Sequence, residues 1–148
     1  MNLKGYHYIT SKSLLDYEFF SEGPNGKIKK VVRFEPANSG GITYFNLCFG
    51  DWKEKKQGLD DMVISNNQDR DKILATVALA VLDFTEHFSD VGVFAQGSTP
   101  ARTRLYQLSI ARHWKAIQTL LYVYGYINGS WEPFRKSVNY RAFLAYRK

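Results

Sequence analysis

A chain of 148 residues has the length of one domain and is long enough to bury a core. Hydrophobic residues make up 45% and aromatics 16%, which excludes a disordered chain; no apolar run approaches the roughly 18 residues that a spanning helix needs. The net charge of +6 is uneven: residues 1–100 carry 11 Lys/Arg against 13 Asp/Glu, whereas residues 101–148 carry nine against Glu132 alone. That split points to an anionic partner for the C-terminal third, or to a basic third packed beside an acidic part.

The opening MNLKGYHYIT lacks the apolar run of a signal peptide, and the lone Cys48 cannot form an internal disulfide. Both predict a cytoplasmic chain with no membrane partner. Strand signals dominate the first half. Tyr6–Thr10 is short and aromatic, and Leu15–Glu22 is β-prone up to the turn Gly23-Pro24-Asn25-Gly26. Lys27–Glu35 resumes and is predicted to end at Pro36; Ile42–Gly50 follows between Gly40-Gly41 and Gly50-Asp51. Asp51–Asp61 reads as a charged loop and Met62–Ser65 as a short return strand. Cys48 is expected in the core.

The period then changes. Ile73, Val77, Val81, Phe84 and Phe88 recur at spacings of four and three, predicting a helix over Asp69–Phe88 with Asn66, Asn67 or Asp69 as its cap. VGVFAQ (Val91–Gln96) is a buried strand. Gly97-Ser98-Thr99-Pro100 stops it and starts a second helix, which is expected to run to about Ile117. Leu120–Ile127 is a further strand closed by Asn128-Gly129, and Trp131–Lys148 is expected to pack back as a short helix or edge strand. The pattern is that of one α/β (α+β) domain over residues 1–148. Its sheet is mixed but largely antiparallel, with two main helices in the order β-β-β-β-α-β-α-β.

One segment departs from local rules. Helix N-termini favour acids, yet the early turns after Thr99 hold Arg102 and Arg104 with no acid nearby in sequence. Free backbone N–H groups at such a start, with two guanidinium groups beside them, suit an oxyanion. Gly97, Ser98, Thr99, Arg102 and Arg104 therefore form a candidate site for a phosphate-like or carboxylate group. The alternative is that the arginines brace Asp51, Asp60, Asp61 or Asp90.

A second cluster, Asp51, Asp60, Asp61, Asp69 and Asp71, has oxygens that suit Mg²⁺. However, Lys53, Lys55 and Lys56 make it an ordinary solvated hairpin, and Asp69 and Asp71 fall where a helix start wants acids, so no metal is expected. His7, His87 and His113 lack metal-ligand spacing. No nucleophile elbow, Walker motif or dinucleotide fingerprint is present. Trp114, Tyr122, Tyr124 and Tyr126 read as core and edge packing. The tail FRKSVNYRAFLAYRK alternates basic and aromatic residues in the manner of RNA-binding surfaces, although such aromatics more often pack inward.

The stretches FFSEGPNGKI, NLCFGD, SNNQDRDKILATVALAV, GSTPARTRLYQLSI and WEPFRKSVNY make the whole chain resemble an uncharacterised family of short bacterial proteins. That resemblance implies no activity. The order KILATVALAVLDF, VGVFAQ, ARTRLYQLSI and YVYGY, over roughly residues 27–127, is also similar to the GCN5-related N-acetyltransferase fold. This second resemblance implies an acetyltransferase-like topology, with Tyr106 of ARTRLY at the position of a general acid. Acetyltransferases hold the pyrophosphate of acetyl-CoA with a Gln/Arg-x-x-Gly-x-Gly/Ala loop. Here that place reads ISNNQDRD, without glycine and with two acids that repel phosphates, so no cofactor is expected. Three functional expectations follow. One is a module that binds an anionic ligand, a nucleic acid or an acidic protein surface; the others are a divergent acyltransferase using Tyr106 and a stress or toxin–antitoxin type interaction protein.

Overall fold

Alternation of inward apolar and outward polar residues drives the first half into antiparallel strands. The computed structural model describes residues 3–54, 58–60 and 67–148. In it, β1 (Ile9–Thr10), β2 (Asp16–Gly23), β3 (Gly26–Ser39) and β4 (Ile42–Lys53) form a meander, and the short β5 (Gly58–Asp60) pairs with the end of β4. Tyr17, Phe19 and Ser21 of β2 are buried, whereas Glu22 and Phe20 are exposed. The β3–β4 hairpin turns on Gly40-Gly41, both at positive φ (58° and 81°), the conformation that a tight two-residue hairpin demands.

After α1 (Arg70–His87), strand β6 (Gly92–Ala95) returns parallel to β4, the usual consequence of a helical crossover. Helices α2 (Pro100–Arg112) and α3 (Trp114–Ile117) lead to β7 (Leu121–Ile127), β8 (Ser130–Pro133) and β9 (Ala142–Arg147). The sheet order among the described residues is β1-β2-β3-β4-β6-β9-β7-β8, with every pair antiparallel except β4–β6. The fold is therefore mixed α+β with a largely antiparallel sheet, as the sequence predicts. None of its helices is long and apolar enough to cross a membrane.

Both long helices pack on one face of the sheet. Phe84 of α1 is fully buried and stacks on Phe34 of β3 with ring centroids 4.0 Å apart, within a cluster that includes Tyr17, Val32 and Val93. A second cluster, with Leu82, Leu121, Val123, Tyr140 and Phe143, lies under the other half of the sheet. Ahead of β1, the chain lies against α1: the Tyr6 amide donates to Thr76 Oγ1 at 2.8 Å, and the Tyr8 hydroxyl donates to Asp83 at 2.9 Å.

Several expectations need correction. Within Tyr6–Thr10 only Ile9 and Thr10 pair as a strand, because Tyr6 and Tyr8 find their partners on α1 instead. Strand β3 does not end at Pro36 but runs to Ser39. Pairing with β2 reaches only to Arg33, opposite Asp16 at the start of β2, and proline is tolerated where a strand has one open edge. The second helix is broken at His113, and Trp114 in the following turn packs on Phe134 at 4.8 Å. A third helix thus joins the two predicted. The tail is neither a helix nor a lone edge strand: β8 forms the edge, while β9 lies inside the sheet between β6 and β7. Cys48 is not in the core; it is half-buried on β4 opposite Arg33. Asp69 caps α1 by position only. Its carboxylate accepts instead from the Tyr6 hydroxyl and from Ser21 Oγ. The predicted strand Met62–Ser65 and the cap Asn66 lie outside the described residues.

Candidate functional site

Strand β6 ends at Ala95, and two residues later the chain must pass directly over the first turn of α2. Only glycine fits there, since a Cβ on Gly97 would lie 2.5 Å from the Thr103 backbone nitrogen. The Gly97 amide donates to Thr103 Oγ1 at 3.0 Å. Thr99 is the N-cap, its hydroxyl oxygen accepting from the Arg102 amide at 3.2 Å, and Pro100 fills the first helical position. The Arg102 guanidinium donates to Ser98 Oγ at 3.0 Å, and the first turn of α2 contains no acid. Gly97, Ser98, Thr99 and Arg102 are thus brought together. Arg104 follows by two residues, roughly 200° around the helix, and is exposed on another side.

Residues remote in sequence complete this end of the molecule. Gln96 Nε2 donates to the Arg141 carbonyl at 3.2 Å, and the Arg141 amide donates to the Tyr126 carbonyl at 2.8 Å. Buried Gln107 of α2 donates to the carbonyls of Arg135 and Lys136 at 3.3 and 3.1 Å. These bonds hold the segment before β9 against the end of β6 and against α2. The chain carries Lys136 and Arg141 there, with Arg102 and Arg104 on α2. Among the described residues, no carboxylate pairs with Arg104, Lys136 or Arg141.

The one acid of residues 91–148, Glu132, is already committed. It accepts from Arg135 Nε at 2.8 Å and from the Tyr140 hydroxyl at 2.6 Å. Arg135 first, then Tyr140, holds its carboxyl below the usual range, while burial and Glu132 push the Tyr140 hydroxyl up. Sequence reasoning missed Lys136, Arg141, Gln96 and Gln107. The nine-to-one charge imbalance was the available signal, but their meeting depends on β9 pairing with β6.

Tyr106, the predicted acid, is half-buried one turn beyond Arg102. It lines an apolar cavity of about 80 Å³ with Leu47, Val77, Val93, Ile110 and Phe143, between the two long helices and the sheet. The acidic candidates are dispersed. Asp51 is buried in an ion pair with Lys30, Asp69 accepts from Tyr6 and Ser21, and Asp71 pairs with Arg112 at 2.6 Å. The Asp60 side chain and Asp61 lie outside the described residues. Asp51 is therefore taken by a lysine rather than by either α2 arginine.

The chain belongs to a family of unknown function (DUF6934), whose model matches residues 2–148. No curated protein and no solved structure matches it.

Proposed function

We propose that this member of the family binds a partner through phosphate or carboxylate groups at the end of β6 and the start of α2. The observation that carries the reading is the one-signed charge of this region: Arg102 lies at the turn with the Arg141 backbone beside it, Arg104 and Lys136 add the same sign further along α2 and before β9, and the charge of Glu132 is met by Arg135. A helix start favours an anion by about 0.3–1 kcal/mol, and guanidinium groups add bidentate, charge-assisted bonds. The Gly97 and Arg102 amides are used internally, so the side chains rather than a backbone cradle supply most of the attraction.

The test is thermal shift with inorganic polyphosphate and with nucleotides. A ligand that binds the folded chain raises the melting temperature by mass action. The expected result is a rise that shrinks in Arg102→Ala combined with Arg141→Ala. No rise with any polyanion overturns the reading.

A second reading, a divergent acyltransferase with Tyr106 as its acid, draws on the parallel β4–α1–β6 unit, on β9 lying between β6 and β7, and on the apolar cavity at Tyr106. Against it stands β5. Such an enzyme needs β4 and β6 to part into a cleft, but beyond Leu47 the same edge of β4 pairs with β5 at Asp51–Lys53. A shift with acetyl-CoA that nucleotides do not reproduce would favour this second reading.

A further inference from the structure

The two faces of the sheet differ in cover. Val93, Phe143, Val123 and Leu121 point toward α1 and α2 and are buried. Strand register then sends their neighbours to the opposite face: Phe94 on β6, Tyr146 on β9, Tyr122, Tyr124 and Tyr126 on β7, and Trp131 on β8. Among the described residues, all of these rings but Tyr122 contact one another. Trp131 lies 5.1 Å from Tyr126 and 6.2 Å from Phe94, and Tyr124 lies 6.4 Å from Tyr146. Tyr122 and Trp131 remain 53% and 41% exposed. The tyrosines expected to pack as core and edge thus form an outer surface, although Trp114 does pack inward.

Charge identifies what this surface suits. Glu132 lies opposite Gly125, so it faces the helix side, and no carboxylate stands on the aromatic face of β6–β9. Lys148 sits 5.0 Å over the Tyr122 ring at one end, and at the other end the backbone of Arg141, an exposed residue, is hydrogen-bonded to Tyr126 and to Gln96, just before the Gly97–Arg102 turn. The span from Tyr122 to Tyr126 is about 13 Å, room for two or three stacked bases. An identical copy docked face to face would set like charges against like, which costs association. A single-stranded nucleic acid meets both features: its bases stack on exposed rings, and its phosphates meet the cations.

We infer that single-stranded nucleic acid lies across this face, its bases on Trp131, Tyr126 and Tyr122 and its phosphates toward Arg141 and Arg102. The inference rests on the anion-binding reading and adds the base-stacking surface to it. The test measures fluorescence anisotropy of labelled oligouridylate and oligothymidylate on the full chain, with inorganic polyphosphate as a competitor that has no bases. Binding that weakens steeply with salt is expected, and whichever oligonucleotide binds tighter identifies RNA or DNA as the source. Trp131→Ala and Tyr122→Ala should each weaken oligonucleotide binding about 5- to 100-fold, leave polyphosphate affinity unchanged, and melt as the parent does. Trp131→Phe should restore most of the loss. Arg102→Ala with Arg141→Ala should weaken both ligands.

If polyphosphate binds but the ring variants leave oligonucleotide affinity unchanged, the anion site stands and the stacking surface is wrong. If neither polymer binds, both ideas fall. A dimer in sedimentation that Trp131→Ala splits would assign the face to a second copy and overturn the proposal.

Discussion

The halves of the sheet on either side of the β4–β6 junction bury their inner faces in the same way and treat their outer faces in opposite ways. On β2 and β3 the outer face sets matched charges around Phe20 and Val31: Asp16 with Arg33 at 2.7 Å, Glu18 with Lys29 at 3.6 Å and Glu22 with Lys27 at 3.5 Å. Even Trp52 is covered there, by Lys29 at 5.3 Å and Arg33 at 5.8 Å from its ring. On β6–β9 the outer face carries rings and cations with no acid to match them. A face whose charges are satisfied within the chain is finished toward water. One with rings and a single sign of charge is the face on which the proposed nucleic acid would lie.

The two halves share α1, and the largest effect comes from loosening it. Phe84 sits under β3 on the helix that also covers the second cluster. Phe84→Ala should cost about 3–5 kcal/mol in denaturant unfolding, with both halves melting together. Independent melting of the two, or a loss below about 1 kcal/mol, would show that α1 does not couple them.

The pH response should have an alkaline and an acid limb. Burial, then the charge of Asp83, pushes Tyr17 from 10.0 up to about 12, so its neutral form is favoured in the fold. Its contribution is complete below pH 10 and is lost as pH rises through about 12. His113 moves the other way: burial, then Arg112, lowers it from 6.5, with Asp71 opposing. The folded chain takes up that proton less readily, so stability is complete above pH 6.5 and falls as pH drops through the lowered value. Melting temperature measured across pH should decline at both extremes. His113→Gln should flatten only the acid side, and an unchanged acid side would remove His113 from the account. The smallest effect belongs to the matched charges: Asp16→Asn should cost at most about 1 kcal/mol, a loss that added salt reproduces in the parent. A larger loss would mean that the pairs hold the hairpin rather than finish its surface.

Elements set by local chemistry were legible in the sequence. The four-and-three spacing from Ile73 to Phe88 found α1, Thr99-Pro100 found the start of α2, and Asn128-Gly129 found the turn between β7 and β8. Failures came where a distant partner decides. Tyr6 leaves strand pairing for Thr76, and Ala142–Arg147 looks like a tail until β6 and β7 flank it. The candidate site divides in the same way. The turn from Gly97 to Arg102 could be read locally, but Lys136 and Arg141 join it only through β9. The outward direction of Tyr122, Tyr124 and Tyr126 depends on which parity of β7 meets the helices, and an aromatic strand does not reveal that by itself.

The position of β9 has a consequence for the order of events during synthesis. β6 and β7 are translated well before it, yet neither can pair with the other; each waits for the same later six residues. The hairpins of β2, β3 and β4 can close as they emerge, whereas the C-terminal half keeps two open strand edges until Ala142–Arg147 has left the ribosome. Ribosome stalling between β8 and β9 would therefore yield a nascent chain with a closed N-terminal meander and an unzipped, aggregation-prone remainder.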